Sequence, residues 1–229
     1  MYKNKTFLGI IPARGGSKGI PYKNIQEIAG KPLIAWTILE AKKSKYIDRL
    51  ILSSEDEKII KTAKNWGCDV PFIRPKEIAQ DDTPGVDPVF HAIKHVPGYE
   101  YIVLLQPTSP LRIAYDIDAC IELCINRGSN ICVSITEQAK NPYLLCNIDK
   151  NSNVYPILKE RFISIRQKAP KTYIINGAVY VAEIKWLKRT NSFLTPETIG
   201  YIMPYDRSID IDTELDFITC EQQFKLLNK

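Results

Sequence analysis

Short apolar runs alternating with amphipathic helical stretches restrict the fold of this chain more than any other feature. Phe7 to Ile11 reads as a strand, Leu33 to Lys43 as a helix, Leu50 to Ser53 as a strand and Asp56 to Trp66 as a helix. The rhythm continues with a strand at Val70 to Ile73, a helix near Pro88 to Val96, the apolar run Tyr101-Ile102-Val103-Leu104-Leu105, a helix from Asp116 to Asn126 and a strand at Ile131 to Ile135. Such alternation predicts an α/β fold, a mostly parallel sheet covered by helices, with ligands at the carboxyl ends of its strands. From 136 to 172 the pattern breaks into Asn-, Pro- and Lys-rich segments with one strand candidate, Tyr143 to Ile148. This predicts a small excursion from the sheet, suited to dimerisation. The core pattern resumes at Tyr173 to Ala182, where Asn176-Gly177 marks a turn or close approach, and a final helix follows Asp212-Thr213-Glu214. No repeat divides the chain, so residues 1–229 read as a single domain.

Composition narrows the function. With 45% hydrophobic residues the chain can bury a substantial core. No apolar run approaches the roughly 20 residues that cross a bilayer, and the first residues lead straight into a strand, so no membrane role and a cytoplasmic location are expected. The net charge of +5 is spread along the chain without an aromatic-and-basic stripe, which suits small anionic substrates and not nucleic acid. The six cysteines contain no CxxC pair and fall in expected helices and strands, as reduced, buried thiols do. Trp36, Trp66 and Trp186 occupy apolar helical positions and read as core; His91 and His95, four apart with no third ligand in view, read as packing or surface residues.

The chemistry concentrates directly after the first strand, in Pro12-Ala13-Arg14-Gly15-Gly16-Ser17-Lys18-Gly19, followed by Lys23-Asn24. Gly15, Gly16, Gly19 and Ser17 let backbone amides approach an anion, and Arg14, Lys18 and Lys23 can neutralise a triphosphate from several sides. The spacing excludes the dinucleotide fingerprint and the Walker loop, because Ser17 precedes Lys18 instead of following it. Near the other end, Asp210 and Asp212 alternate on an extended segment, which puts two carboxylates on one face. That pair suits Mg2+, which binds a few carboxylates together with phosphate oxygens; helix capping by Asp212 is an alternative compatible with it.

These motifs, with Gly30-Lys31-Pro32-Leu33-Ile34, Ser53-Ser54-Glu55-Asp56, Arg74-Pro75-Lys76-Glu77-Ile78-Ala79, Gln106-Pro107-Thr108-Ser109-Pro110-Leu111-Arg112, Arg166-Gln167, Asn176-Gly177-Ala178-Val179-Tyr180 and Ser208-Ile209-Asp210-Ile211-Asp212, resemble the acylneuraminate cytidylyltransferase family along the whole chain. The resemblance implies a Rossmann-like nucleotidyltransferase fold and transfer of CMP from CTP to the anomeric hydroxyl of a nine-carbon acidic sugar, of legionaminic or sialic acid type, by a homodimer. It implies that Arg14, Gly15, Gly16, Ser17, Lys18, Lys23 and Asn24 hold the triphosphate and Arg74 the cytosine. Gln106, Arg166, Asn176 and Tyr180 would read the sugar, Asp210 and Asp212 would hold Mg2+, and Arg14, Lys18 and Asp212 would carry catalysis. It further implies that Phe193 lines the sugar pocket of a partner subunit.

Alternatives stand beside several of these. Arg74 fits an ion pair at a strand end as well as a base contact, and Arg112 fits either a sugar carboxylate or a helix-flanking ion pair. Leu144 and Ile174 stand where sialic acid relatives often carry basic residues, which implies a less polar sugar pocket. The proton acceptor is either a metal-bound water or Asp212. The competing functions are a CMP-pseudaminic acid synthetase, a synthetase for the eight-carbon acid Kdo, or a non-catalytic nucleotide-sugar binding module.

Overall fold

A computed structural model of the chain describes residues 1–16, 19–138, 141–158 and 170–227. Strand β1 (Phe7–Pro12) leads through a 3₁₀ turn at Lys23–Ile25 to the two-residue strands β2 (Glu27–Ile28) and β3 (Lys31–Pro32), helix α1 (Leu33–Lys43), strand β4 (Arg49–Ser53) and helix α2 (Glu57–Asn65). Then follow α3 (Asp87–His95), β5 (Tyr101–Leu104), α4 (Ala114–Asn126), β6 (Ile131–Glu137), β7 (Cys146–Ile148), β8 (Val154–Pro156), β9 (Tyr173–Glu183), α5 (Ile184–Thr190), β10 (Ile199–Ile202) and α6 (Glu214–Leu226).

Among the described residues the main sheet has six strands in the order β10-β6-β9-β5-β1-β4. β1 is parallel to β4 and β5, and β10 to β6; β9 runs against both its neighbours, β5 and β6. The sheet is therefore mostly parallel, as the alternation of elements requires. β1 is flanked on both edges and covered on both faces, so residues 7–11 are all buried and polar alternation is absent. Alternate side chains serve opposite layers. Phe7 and Ile11 pack with Ile34 and Ile38 of α1, Ile59 of α2 and Cys120 and Ile121 of α4. Leu8 and Ile10 pack with Val89 and Ile93 of α3 and with Trp186 and Leu187 of α5. A third cluster joins Trp36 of α1 to Cys220 and Phe224 of α6, with the Trp36 and Phe224 rings 4.3 Å apart. Ile211 is fully buried in that cluster.

Three local expectations change. Val70 to Ile73 is not a strand: only Asp69 bridges β4, at Ile51, and Pro71 has no N–H to extend the ladder. The candidate Tyr143 to Ile148 splits into a 3₁₀ turn at Pro142–Leu144 and β7, which pairs with β8 as an antiparallel ribbon outside the main sheet. Cys146, on that ribbon, is exposed, whereas the other five thiols are buried as expected. No helix among the described residues is long and apolar enough to cross a membrane.

Candidate active site

The carboxyl ends of β1 and β5 open into a cleft of about 810 Å³. Arg14, Gly19, Lys23, Asn24, Arg74, Gln106, Tyr180, Phe193, Asp210 and Asp212 all line it. Residues more than 190 positions apart in sequence thus converge where open α/β sheets place their ligands.

At one end the chain leaves β1 and turns beneath a set of charged groups. Arg14 pairs with Asp81 at 2.6 Å, both partly exposed. Asn24 is buried and donates from Nδ2 to the Arg14 carbonyl at 3.0 Å, so it shapes the loop it was expected to share with the triphosphate. Arg74 is 4% exposed and donates through Nη2 and Nε to Glu55 Oε2 at 2.6 and 3.2 Å. The other Glu55 oxygen accepts from the Gly15 amide at 2.7 Å. Arg74 thus makes the ion pair that was one of its two alternatives, and it also lines the cleft. Glu55 is a residue to which the sequence alone attached no role; its position just past β4, beside the loop after β1, was the available signal. Gly16 has open space on its side-chain face and lines no contact, while Ser17 and Lys18 lie outside the described residues.

Lys23 ties this loop to the acidic segment. Its Nζ donates to the Ile211 carbonyl at 2.5 Å and lies 3.1 Å from Asp212 Oδ1. Gly19 touches the same segment: a Cβ there would stand 2.5 Å from the Asp212 carbonyl oxygen, closer than any side chain tolerates. Burial of Ile211 in the α1–α6 cluster turns its neighbours Asp210 and Asp212 to the cleft, as the alternation predicts. Burial raises the Asp210 carboxyl above its usual range, partly offset by Thr108 and by the Lys23 charge. Its Oδ1 is buried without a hydrogen-bond partner among the described residues. Asp212 is 75% exposed and does not cap α6. Thr213 does, accepting from the Asp216 amide, while Asp216 accepts in return from the Thr213 amide at 2.8 Å.

The other end rests on a break in the β6–β9 ladder. Val133 pairs with Tyr180 but Ile135 with Ile175, so residues 176–179 bulge opposite Ser134. The Ser134 hydroxyl fills the gap: it accepts from the Val179 amide at 2.8 Å and donates to Asn176 Oδ1 at 2.6 Å. Asn176 Nδ2 donates to Ser208 Oγ at 2.9 Å. Asn176 is thus buried with both halves of its amide engaged and does not line the cleft, in contrast to the sugar contact expected of it. Gly177 adopts φ +73°, and a Cβ there would collide with Gln106 Oε1 and come 3.5 Å from Asp210 Oδ2. Gln106 and Asp210 therefore meet across a glycine. Tyr180 follows on β9; burial, then the Asp210 charge, raises its phenol. Phe193 packs on Tyr180 with ring centroids 5.3 Å apart and lines the cleft of its own chain.

Arg112 departs from both expectations for it. It is fully buried and donates to backbone carbonyls of Gln106 (3.2 Å) and Ala178 (2.8 Å) and to the Thr37 hydroxyl (2.7 Å). Arg166 lies outside the described residues. His91 and His95 stack 4.1 Å apart against Phe72, a packing role.

Residues 8–199 match the family described as Cytidylyltransferase. The CMP-N,N'-diacetyllegionaminic acid synthase of Legionella pneumophila subsp. pneumophila is 31% identical over 224 residues, covering 96% of both chains. A pseudaminic acid cytidylyltransferase of Campylobacter jejuni is 34% identical, covering 91% of this chain and 92% of its own. The N-acylneuraminate cytidylyltransferase of Escherichia coli O18:K1:H7 is 31% identical over 94% of this chain, which spans only 52% of that longer protein. Among solved structures, a CMP:2-keto-3-deoxy-manno-octonic acid synthetase complexed with CTP superposes with a TM-score of 0.74 over 97% of this chain and 100% of its own, at 13% identity, a likeness of fold.

Proposed function

The chain belongs to the cytidylyltransferase family and is a nucleotidyltransferase, and from that premise we propose that it transfers CMP from CTP to the anomeric hydroxyl of a nine-carbon acidic sugar, releasing pyrophosphate. The observation that carries the reading is the convergence of Arg14, Lys23, Arg74, Gln106, Asp210 and Asp212 on one cleft. In this reading Arg14, Lys18 and Lys23 hold the triphosphate, with Gly16 and Ser17 offering backbone amides while Glu55 holds that of Gly15, and Arg74 meets the cytosine edge. Gln106 and Tyr180 contact the sugar, which attacks the α-phosphorus in line, so a P–O bond to the sugar forms as the bond to pyrophosphate breaks. Most of the acceleration comes from positioning and charge stabilisation.

A divalent cation, in our reading Mg2+, would be held by Asp210 and Asp212, and when bound it would offset charge on the phosphates. The donor set fits. Asp210 offers a buried oxygen with no other partner, and no cluster of three or more His, Cys, Asp or Glu among the described residues could hold a metal without help. Mg2+ takes few carboxylates and fills its remaining positions with water and substrate phosphate. Asp212, exposed beside Lys23, is the residue we assign to proton acceptance when the sugar attacks.

The enzyme acts as a cytoplasmic homodimer in this proposal. Leu144, Leu145, Ile148, Val154, Tyr155 and Ile157 on and around the β7–β8 ribbon are each 44–70% exposed, a set of apolar side chains on one short arm of the kind that partner surfaces cover. Isologous packing of two such arms would cover it. Sedimentation should give a dimer at assay concentration, and Ile148→Asp with Tyr155→Asp should give monomer; a wild-type monomer would sink the assembly.

The activity itself is tested by pyrophosphate release from CTP with a panel of N,N'-diacetyllegionaminic, pseudaminic, N-acetylneuraminic and eight-carbon Kdo acids. Release with a nine-carbon acid, and a CMP-sugar product by mass, is expected. No release with any acid would leave a binding module, and preference for the eight-carbon acid would move the enzyme to the other substrate class.

A further inference from the structure

Arg112 is a fully buried guanidinium, and among the described residues no carboxylate lies within ion-pair distance of it. The nearby acids are committed elsewhere: Glu40 accepts from the Ala114 amide, and Asp116 is bound by Arg207. Burial draws the group down to about 10, with Asp116 and Glu40 opposing, so it remains a cation at neutral pH. Burying an unpaired charge is expensive, and a leucine or methionine would fill a core position at less cost. What the arginine provides instead is a fork. Nη1 reaches the carbonyls of Gln106 and Ala178, and Nη2 reaches Thr37 Oγ1.

The two carbonyls belong to the backbone segments that form one end of the cleft. Gln106 is the first residue past the carboxyl end of β5 and Ala178 sits in the β9 bulge. Two further ties run in parallel: Ser109 Oγ donates to the Asn176 carbonyl at 3.3 Å, and the Ile211 amide donates to the Thr108 carbonyl at 2.8 Å. Gln106 is thereby fixed relative both to Gly177, which its side chain touches, and to the Asp210 segment.

We propose that Arg112 is a positioning residue for the sugar end of the cleft: it clamps the Gln106 backbone to the β9 bulge and so sets where the Gln106 amide stands. The assignment rests on the reading of Gln106 as a sugar contact. A lysine could not replace it, because one ammonium on a flexible stem cannot hold three acceptors in a plane.

Thr37 lies on α1, is fully buried and does not line the cleft, so it reaches Gln106 only through Arg112. Thr37→Val removes one prong's acceptor with little change of shape. It should raise the sugar-acid KM roughly tenfold, the effect of losing one buried hydrogen bond at its upper range, with CTP affinity by titration unchanged within about threefold. Arg112→Lys should do the same more strongly. In a Gln106→Ala background Thr37→Val should have no further effect on the sugar KM. Should Arg112→Lys fail to fold, the Thr37 and Gln106 cycle decides alone. Equal losses for CTP and sugar, or an effect of Thr37→Val that adds in full to Gln106→Ala, would overturn the positioning role. A flat sugar KM in Gln106→Ala itself would instead bring down the sugar-contact reading, and the inference with it.

Discussion

The two ends of the cleft are built on opposite principles. At the end where β1 and β4 finish, each basic side chain among the described residues lining the cleft is matched by an acid: Arg14 by Asp81, Arg74 by Glu55 and Lys23 by Asp212. At the end where β5 and β9 meet, the lining beyond the Asp210 carboxylate is neutral, and its shape comes from a bulge, a glycine at positive φ and an arginine bound to carbonyls. The first end holds charge in place by pairing, and it can exchange a carboxylate for a phosphate oxygen at small net cost. The second end has no ion pair to exchange, so its selectivity has to come from fixed distances. Mutations should therefore fail differently at the two ends: by loss of anion or metal affinity at one, and by displacement at the other.

The largest expected effect tests the charged end. Asp210→Asn and Asp212→Asn remove a carboxylate from the pair assigned to Mg2+, and turnover should fall by about two orders of magnitude or more, since several kcal/mol of transition-state stabilisation is lost. Melting should hardly change for Asp212→Asn, because Thr213 and Asp216 form the cap of α6. Turnover is to be measured across a magnesium titration. Near-normal rates in both variants at an unaltered magnesium requirement would show that the acidic pair is structural.

Next in size is Glu55→Gln. The amide keeps an acceptor for Gly15 but withdraws the charge that pairs with Arg74, a guanidinium 4% exposed. Stability should fall by about 1–3 kcal/mol, the cost of an undercompensated buried donor, and the KM for CTP should rise about tenfold while the sugar KM holds. A rise confined to the sugar would erase the contrast between the ends.

Gly177→Ala probes the neutral end. The added methyl collides with Gln106 Oε1, and a residue other than glycine at φ +73° adds backbone strain of about 1–2 kcal/mol. The sugar KM should rise severalfold with CTP affinity preserved. If CTP suffers equally, the bulge supports the whole cleft and the ends are not separable.

How far the sequence speaks for each end follows the same division. Charge and glycine are visible as residue types, so the loop from Arg14 to Gly19, Lys23, Arg74 and the Asp210 and Asp212 pair could all be named from the chain, and every described side chain among the named charged residues faces the cleft. Shape is not visible as a residue type. The resemblance put Asn176 at the sugar; only the skipped register at Ser134 reveals that its amide oxygen instead holds the Ser134 hydroxyl that fills the gap in the ladder. Arg112 invited an ion pair because arginines usually make one, and nothing local shows that its partners are carbonyls 6 and 66 residues away. The fold shows the same limit. Period and apolarity revealed the α/β layers, but the antiparallel course of β9 depends on the excursion before it, whose pairing no local pattern encodes. Likewise Pro71 cancels a strand that composition alone would accept.

The smallest effect concerns the support behind the charged end. His91 of α3 meets Phe72 edge-on, its ring centroid 4.9 Å away, two residues before Arg74. Burial holds its imidazole below the usual 6.5, with His95, Lys94 and the Arg74 charge acting in the same direction. The folded protein therefore keeps His91 neutral over a range in which the unfolded chain already takes up a proton. In that window the unfolded state binds more protons, so stability rises with pH; it is fully present above about 6.5 and is lost as pH falls through that value toward the lowered folded one. His91→Gln cannot titrate and should lack this component. Melting temperatures of both proteins between pH 8 and pH 5 provide the measurement, taken as a difference so that the carboxylates common to both cancel. The wild type should lose ground to the variant only below about pH 6.5, by a small margin, while CTP affinity at pH 7.5 stays equal. A difference that stays constant across the range would mean that His91 titrates alike in both states, and that the packing behind Arg74 is open to water instead of forming a closed floor to the charged end.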